Sequence, residues 1–124
     1  MEKLIAPWLT LNNYQQLAAR TARADWPDAK SRRIIATLGL CGESGEFADM
    51  VKKIYGHDHP LEEDQLRKEL GDVLWYVAEV CTAFDWDLGA IAYQNLAKLR
   101  SRYPDRAEQH TAFIEEMDKK SGGD

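Results

Sequence analysis

The chain has 124 residues, 44% of them hydrophobic and 30% charged, with a formal net charge of -5 at pH 7. That length has room for one domain with a real core but not for two, and the composition is that of a soluble globular protein. The acidic balance without a long basic run argues against nucleic-acid binding, and the lack of a leader-like or membrane-length apolar stretch predicts a cytoplasmic protein with no membrane partner.

Met1 to Leu9 reads as an extended lead-in, with Pro7 and Trp8 tucked against the body. A first helix is predicted from about Asn12 to Ala24, with Tyr14, Leu17 and Ala18 as its buried stripe. Trp26-Pro27-Asp28 breaks it. The second helix runs from about Ala29 to Tyr55. Leu40, Phe47, Val51 and Ile54 form one apolar face, while Ile34, Leu38, Cys41 and Ala48 lie on other sides. A helix apolar on several sides either threads the middle of a subunit or packs against a second copy. Gly39, Gly42 and Gly45 are costly inside a helix, so they predict close approach of another backbone or of a ligand.

Gly56-His57-Asp58-His59-Pro60 carries stop and turn signals, and the two histidines read as turn residues. A third helix is predicted over Leu61–Phe84, with Glu62, Glu63 and Asp64 near its start as the helix dipole favours. Leu66, Leu70, Val73, Val77, Cys81 and Phe84 recur as its buried stripe, and Glu69, Asp72, Tyr76 and Glu79 form the stripe beside it. Asp85 and Asp87 are candidate N-caps for a fourth helix from Leu88 to about Arg102. Pro104 interrupts it, and a short last helix follows from about Arg106 to Met117, with the tail 118–124 expected to fray. No stretch alternates with period two. The expected class is all-α, a bundle of four to five helices around a central antiparallel hairpin. Cys41 and Cys81 read as buried, reduced thiols.

The chemistry concentrates in Glu43-Ser44-Gly45-Glu46 and Glu69-Leu70-Gly71-Asp72. Each acidic pair is spaced i, i+3 and so shares one helical face. Both pairs are also equidistant from one midpoint inside the predicted turn. A hairpin closing there sets Glu46 level with Glu69 and Glu43 level with Asp72. Four carboxylates at one height repel one another, and divalent cations remove the conflict. Hard ions such as Mg2+ take carboxylate oxygens and leave positions for phosphate oxygens and water. The chemistry to expect is metal-assisted hydrolysis of a phosphate anhydride. Lys53 lies on the face of Glu46. Asn95, Lys98 and Arg102 share a stripe of the fourth helix and are suited to phosphate oxygens, while Tyr103 and Trp75 are candidates to flank a base. Asp49 and Glu79 read as surface or salt-bridge groups, with Glu79 a candidate support behind the acids.

The run Gly39–Glu46, then Lys52-Lys53, then Lys68–Tyr76, then Asn95–Pro104, taken in order, resembles the MazG-like nucleotide pyrophosphohydrolases of the all-α NTP pyrophosphatase superfamily. The resemblance covers roughly Leu11 to Pro104 and implies one domain over residues 1–124 with its core at about 11–104. It implies metal ligation and catalysis by Glu43, Glu46, Glu69 and Asp72, with Mg2+ as the ion and Mn2+ as a substitute. It implies phosphate binding by Lys98, Arg102 and Tyr103, with Asn95 assisting the metal site or substrate. The implied reaction cleaves a (deoxy)nucleoside triphosphate between the α and β phosphates, giving a monophosphate and pyrophosphate, as in nucleotide-pool housecleaning. A homodimer or homotetramer is implied as well. Alternative readings are a dUTP-specific or phosphoribosyl-ATP hydrolase of the same fold. A different class of reading is a non-catalytic helical oligomerisation or regulatory module that uses the acids for structural metal or partner binding.

Overall fold

A computed structural model describes residues 6–122, except for the side chains of residues 107 and 108. It is helical, with no strand among the described residues: α1 (Leu11–Ala19), α2 (Ala29–Gly56), α3 (Glu63–Ala83), α4 (Leu88–Arg102) and α5 (Pro104–Ser121). No described helix is long and apolar enough to cross a membrane. The chain divides into two compact units, one ending at Gly89 and the other beginning at Ala90.

In the first unit, α2 and α3 pair as the expected hairpin, and α1 packs on α3. Thr10 starts α1 by accepting a hydrogen bond from the Asn13 N–H at 3.1 Å. The helix stops five residues before its predicted end. Arg20 and Thr21 close onto Leu17 and Ala18 in tightened i−3 bonds. The Thr21 hydroxyl then donates to the Ala18 carbonyl and accepts from the Trp75 indole at 2.8 Å. A bond to α3 thus ends α1 where local propensity would continue it. Trp8 is 59% exposed, so it is not tucked against the body. Asp28 caps α2 by accepting from the Ser31 N–H, and α2 ends at Gly56, with His57 as its C-cap.

Small side chains form the centre of this unit. Ala78, Cys81 and Leu88 are buried together, with Tyr14, Ala18 and Val77 packed against them. Leu17 and Leu70 were expected in buried stripes but face outward, and so does Cys41. Periodicity marks which residues share a face, not whether anything lies against that face. The α2 side chains Leu40, Phe47, Val51 and Ile54 are half-buried, whereas Ile34, Leu38 and Ala48 on the other sides are open. The helix therefore does not thread the middle of the unit.

Directional contacts join α2 to α3. Arg32 forms a two-pronged ion pair with Glu79, Nε to Oε1 at 2.8 Å and Nη2 to Oε2 at 3.2 Å, and Glu79 is only 4% exposed. Glu79 is thus a salt-bridge residue, inside the fold and not on its surface. Arg33 donates to the Ala83 carbonyl at 3.0 Å and lies over the Phe84 ring. At Gly39 the Tyr76 ring occupies the space that a β-carbon would need. Around Gly42 and Gly45 there is open space among the described residues, and what approaches Gly39 is a side chain where another backbone or a ligand was expected.

At the far end of α3 the chain turns through Asp85, whose φ is 58°. The first N–H groups of α4 are satisfied from α1. Leu88 donates to Gln15 Oε1 at 2.7 Å, and Gly89 to Asn12 Oδ1 at 2.8 Å. Side chains distant in sequence thus serve where Asp85 and Asp87 were the expected caps. In the second unit Pro104 opens α5 as its first residue, as its fixed φ favours. The helix then runs through Asp118–Ser121, part of the stretch expected to fray, and residues 123–124 lie outside the described range.

Gly39→Ala should lower the urea midpoint, because the new methyl group collides with an aromatic ring held by α3. Gly42→Ala and Gly45→Ala meet nothing among the described residues and should raise stability by roughly 0.5–1 kcal/mol each, the backbone entropy that glycine loses in a helix. Urea unfolding of the three variants checks the contrast.

Candidate metal centre

Glu43 projects from α2, and Glu69 and Asp72 project from α3. One carboxylate oxygen from each lies within 4.8 Å of the others. The helical spacing puts Glu69 and Asp72 on one face of α3, and the hairpin brings that face to α2 at Glu43. Glu43 and Glu69 are half-buried and Asp72 is exposed. The trio is therefore open to solvent on one side and walled by the helices on the other.

Glu43 carries the electrostatic tension. Its Oε2 is shielded from solvent and has no hydrogen-bond partner. Burial pushes its carboxyl above the ordinary range, and the charges of Glu46, Asp72 and Glu69 push it further. Glu46 is exposed and lies outside the trio, yet near enough for its charge to act on Glu43. Three of the four expected acids thus converge, and the fourth flanks them.

The neighbouring acids are treated differently. Asp49 is paired with Lys53 at 2.7 Å and Lys52 at 3.2 Å, which holds its carboxyl below the ordinary range. Glu63 pairs with Arg67, and Glu79 with Arg32. Among the described residues no ion pair reaches Glu43, Glu69 or Asp72. A shielded carboxylate oxygen with no donor, beside two more carboxylates, is a donor set that fits a hard divalent ion.

Lys53 is exposed and occupied by Asp49. Asn95, Lys98 and Arg102 are exposed on α4, and Tyr103 is the N-cap residue of α5, with the Arg106 guanidinium 5.6 Å from its ring centre. These four belong to the second unit and the acids to the first. Trp75 is half-buried, bonded to Thr21 and edge-on to Tyr76.

Two contributors escaped the sequence reading. Gln65 donates to Glu69 Oε1 at 3.0 Å. Its position four residues before Glu69 on one helix was the available signal. Tyr14, on α1, has its hydroxyl pushed up by burial and by the charge of Asp72. No spacing rule connects it to α3, because only packing brings α1 there.

An all-helical chain whose longest hairpin gathers acids in this order matches a known group. The MazG nucleotide pyrophosphohydrolase domain matches residues 34–107, more than half the chain, and the chain belongs to that family. The curated Gene 37 protein of Mycobacterium phage L5 is 44% identical over 70 residues, which are 53% of this chain and 61% of that protein. The chain thus spans about three fifths of the length of that relative. No solved structure matches it.

The raised Glu43 carboxyl predicts a pH dependence with a definite sign. Because it takes up a proton more readily when folded, its contribution to metal-free stability falls as pH rises above the ordinary value of 4.5. The penalty is full above the raised native value and gone below 4.5. In chelator-treated protein at about neutral pH, Glu43→Gln should therefore melt higher than wild type. Melting curves across pH should show that advantage shrinking as pH falls through the carboxylate range.

Proposed function

We propose that this chain is a Mg2+-dependent hydrolase that cleaves (deoxy)nucleoside triphosphates between the α and β phosphates, releasing a monophosphate and pyrophosphate. The observation that carries the reading is the convergence of Glu43, Glu69 and Asp72, with an unpartnered Glu43 oxygen, in a chain of this family. Glu43, Glu69 and Asp72 hold the ion, and Glu46 flanks it. A bound divalent cation supplies neutralisation of the charge that builds on the phosphate oxygens. Mn2+ is the expected substitute.

The residues themselves have separable tasks. The trio fixes the cation, and with it the face of the hairpin to which a triphosphate is drawn. Glu46, exposed beside the trio, is the proposed acceptor of a proton from an attacking water. For Asn95, Lys98, Arg102 and Tyr103 the support is the motif order in the sequence. Lys98 and Arg102 are the proposed phosphate-binding cations, and Tyr103 and Asn95 assist. Lys53 has a competing partner in Asp49, so it is the weakest member of the set.

Self-association as a homodimer or homotetramer belongs to the same proposal. Its support is the apolar surface that the chain leaves open, with Ile34 at 49%, Leu38 at 65% and Leu70 at 52% exposure.

Pyrophosphate release from a panel of nucleoside triphosphates, with and without Mg2+, tests the reading. Wild type should turn over with Mg2+ only. Asp72→Asn and Glu46→Gln should remain folded and lose about 100-fold or more in turnover. Lys98→Ala should raise KM more than it lowers kcat. Should both acid variants gain thermal stability and leave hydrolysis untouched, the non-catalytic module becomes the better description.

A further inference from the structure

Glu79 is the one buried charged residue among the described residues, and the proposed chemistry does not use it. Its place in the hairpin suggests a use. The connection between α2 and α3 runs from His57 to Glu62, and a loop of that length tolerates more than one pairing of the two helices. The apolar side chains of the two helices do not choose one strongly. Leu40, Phe47, Val51 and Ile54 on α2, and Leu66 and Val73 on α3, recur at helical spacing and are only half-buried. Slipping α3 by one turn, about 5.4 Å, sets similar side chains against one another again.

The same slip is ruinous for the acids. It carries Glu69 and Asp72 away from Glu43, and carboxylates held within 4.8 Å of one another oppose the native pairing by repulsion. Something directional has to hold the register against them. Arg32 and Glu79 meet the requirement. Their paired hydrogen bonds of 2.8 and 3.2 Å need both planes aligned, which a displacement of one turn breaks. The Tyr76 ring seated at Gly39 belongs to the same register that brings 43 opposite 72.

We propose that Arg32 and Glu79 are positioning residues for the metal centre. Their ion pair selects, among one-turn slips of α3 along α2, the register that gathers Glu43, Glu69 and Asp72. This rests on the metal reading above for its purpose, while the register itself is measurable without metal. Buried ion pairs add little net stability compared with apolar replacements, but they can specify a unique pairing.

The test uses the full chain carrying Arg32→Met and Glu79→Met together, so that no unpaired charge is left behind. Spin labels on cysteines introduced by Lys52→Cys and Lys68→Cys, in a Cys41→Ser, Cys81→Ala background, report the separation of the two helices by pulsed electron resonance. Mg2+ titration by calorimetry reports the site. With labelled chains diluted in excess unlabelled protein, so that only distances within one chain are read, the parent should give a single narrow distance population. The double Met variant should melt cooperatively at or above the parent temperature, show a second population shifted by several Å, and bind Mg2+ at least tenfold more weakly. The exchanged pair Arg32→Glu with Glu79→Arg should restore the single population. A double Met variant with the parent distance distribution overturns the proposal, whatever its Mg2+ affinity, and so does a shifted register with Mg2+ affinity intact. Failure of the parent to bind Mg2+, with its register lost in the Met variant, overturns the metal reading and leaves the register device standing.

Discussion

Carboxylate oxygens from Glu43, Glu69 and Asp72 crowd within 4.8 Å at the α2–α3 junction, and the surrounding structure has to hold that crowding in place. Burial first, and then the like charges of Glu46, Asp72 and Glu69, make Glu43 harder to ionise. Elsewhere on these helices acids are neutralised close at hand, Asp49 by Lys53 and Glu79 by Arg32. The contrast is informative. A chain that pairs acids so readily on the same helices leaves unpaired the group that a cation would best relieve.

The support for this cluster is directional more than it is bulky. Buried residues are small, chiefly alanine, cysteine and one leucine, and no large side chain among the described residues is fully enclosed. Non-directional apolar contact of that size holds helices together without dictating their register. Register comes from shapes and hydrogen bonds: a two-pronged guanidinium on a carboxylate, an aromatic ring where a glycine leaves room, and an indole bonded to a threonine hydroxyl. Several apolar side chains stay outside, among them Ile34 and Leu38.

Helix class, hairpin and acidic pairing were legible because each depends on spacing along one chain. An i, i+3 pair faces one way on any helix, and a shared midpoint aligns two such pairs across any tight antiparallel return. The misreadings have a common cause. Leu17, Leu70 and Cys41 have the periodicity of buried residues, but periodicity cannot say whether anything lies against them. The end of α1 was misjudged for a related reason, since Trp75 bonds Thr21 there, and the start of α4, placed correctly at Leu88, takes its first hydrogen bonds from Gln15 and Asn12 where nearby aspartates were expected.

The order and spacing of residues by themselves determined that the chain is helical, that it folds back near His57 and that its acids would meet there. Only the tertiary structure decided which three converge, that Glu46 stands beside them and that Glu79 turns inward to Arg32. The reason is geometric. Position around a helix follows from counting residues, whereas burial, pairing and register depend on the neighbour that arrives from elsewhere in the chain, and that neighbour is fixed only when the helices pack.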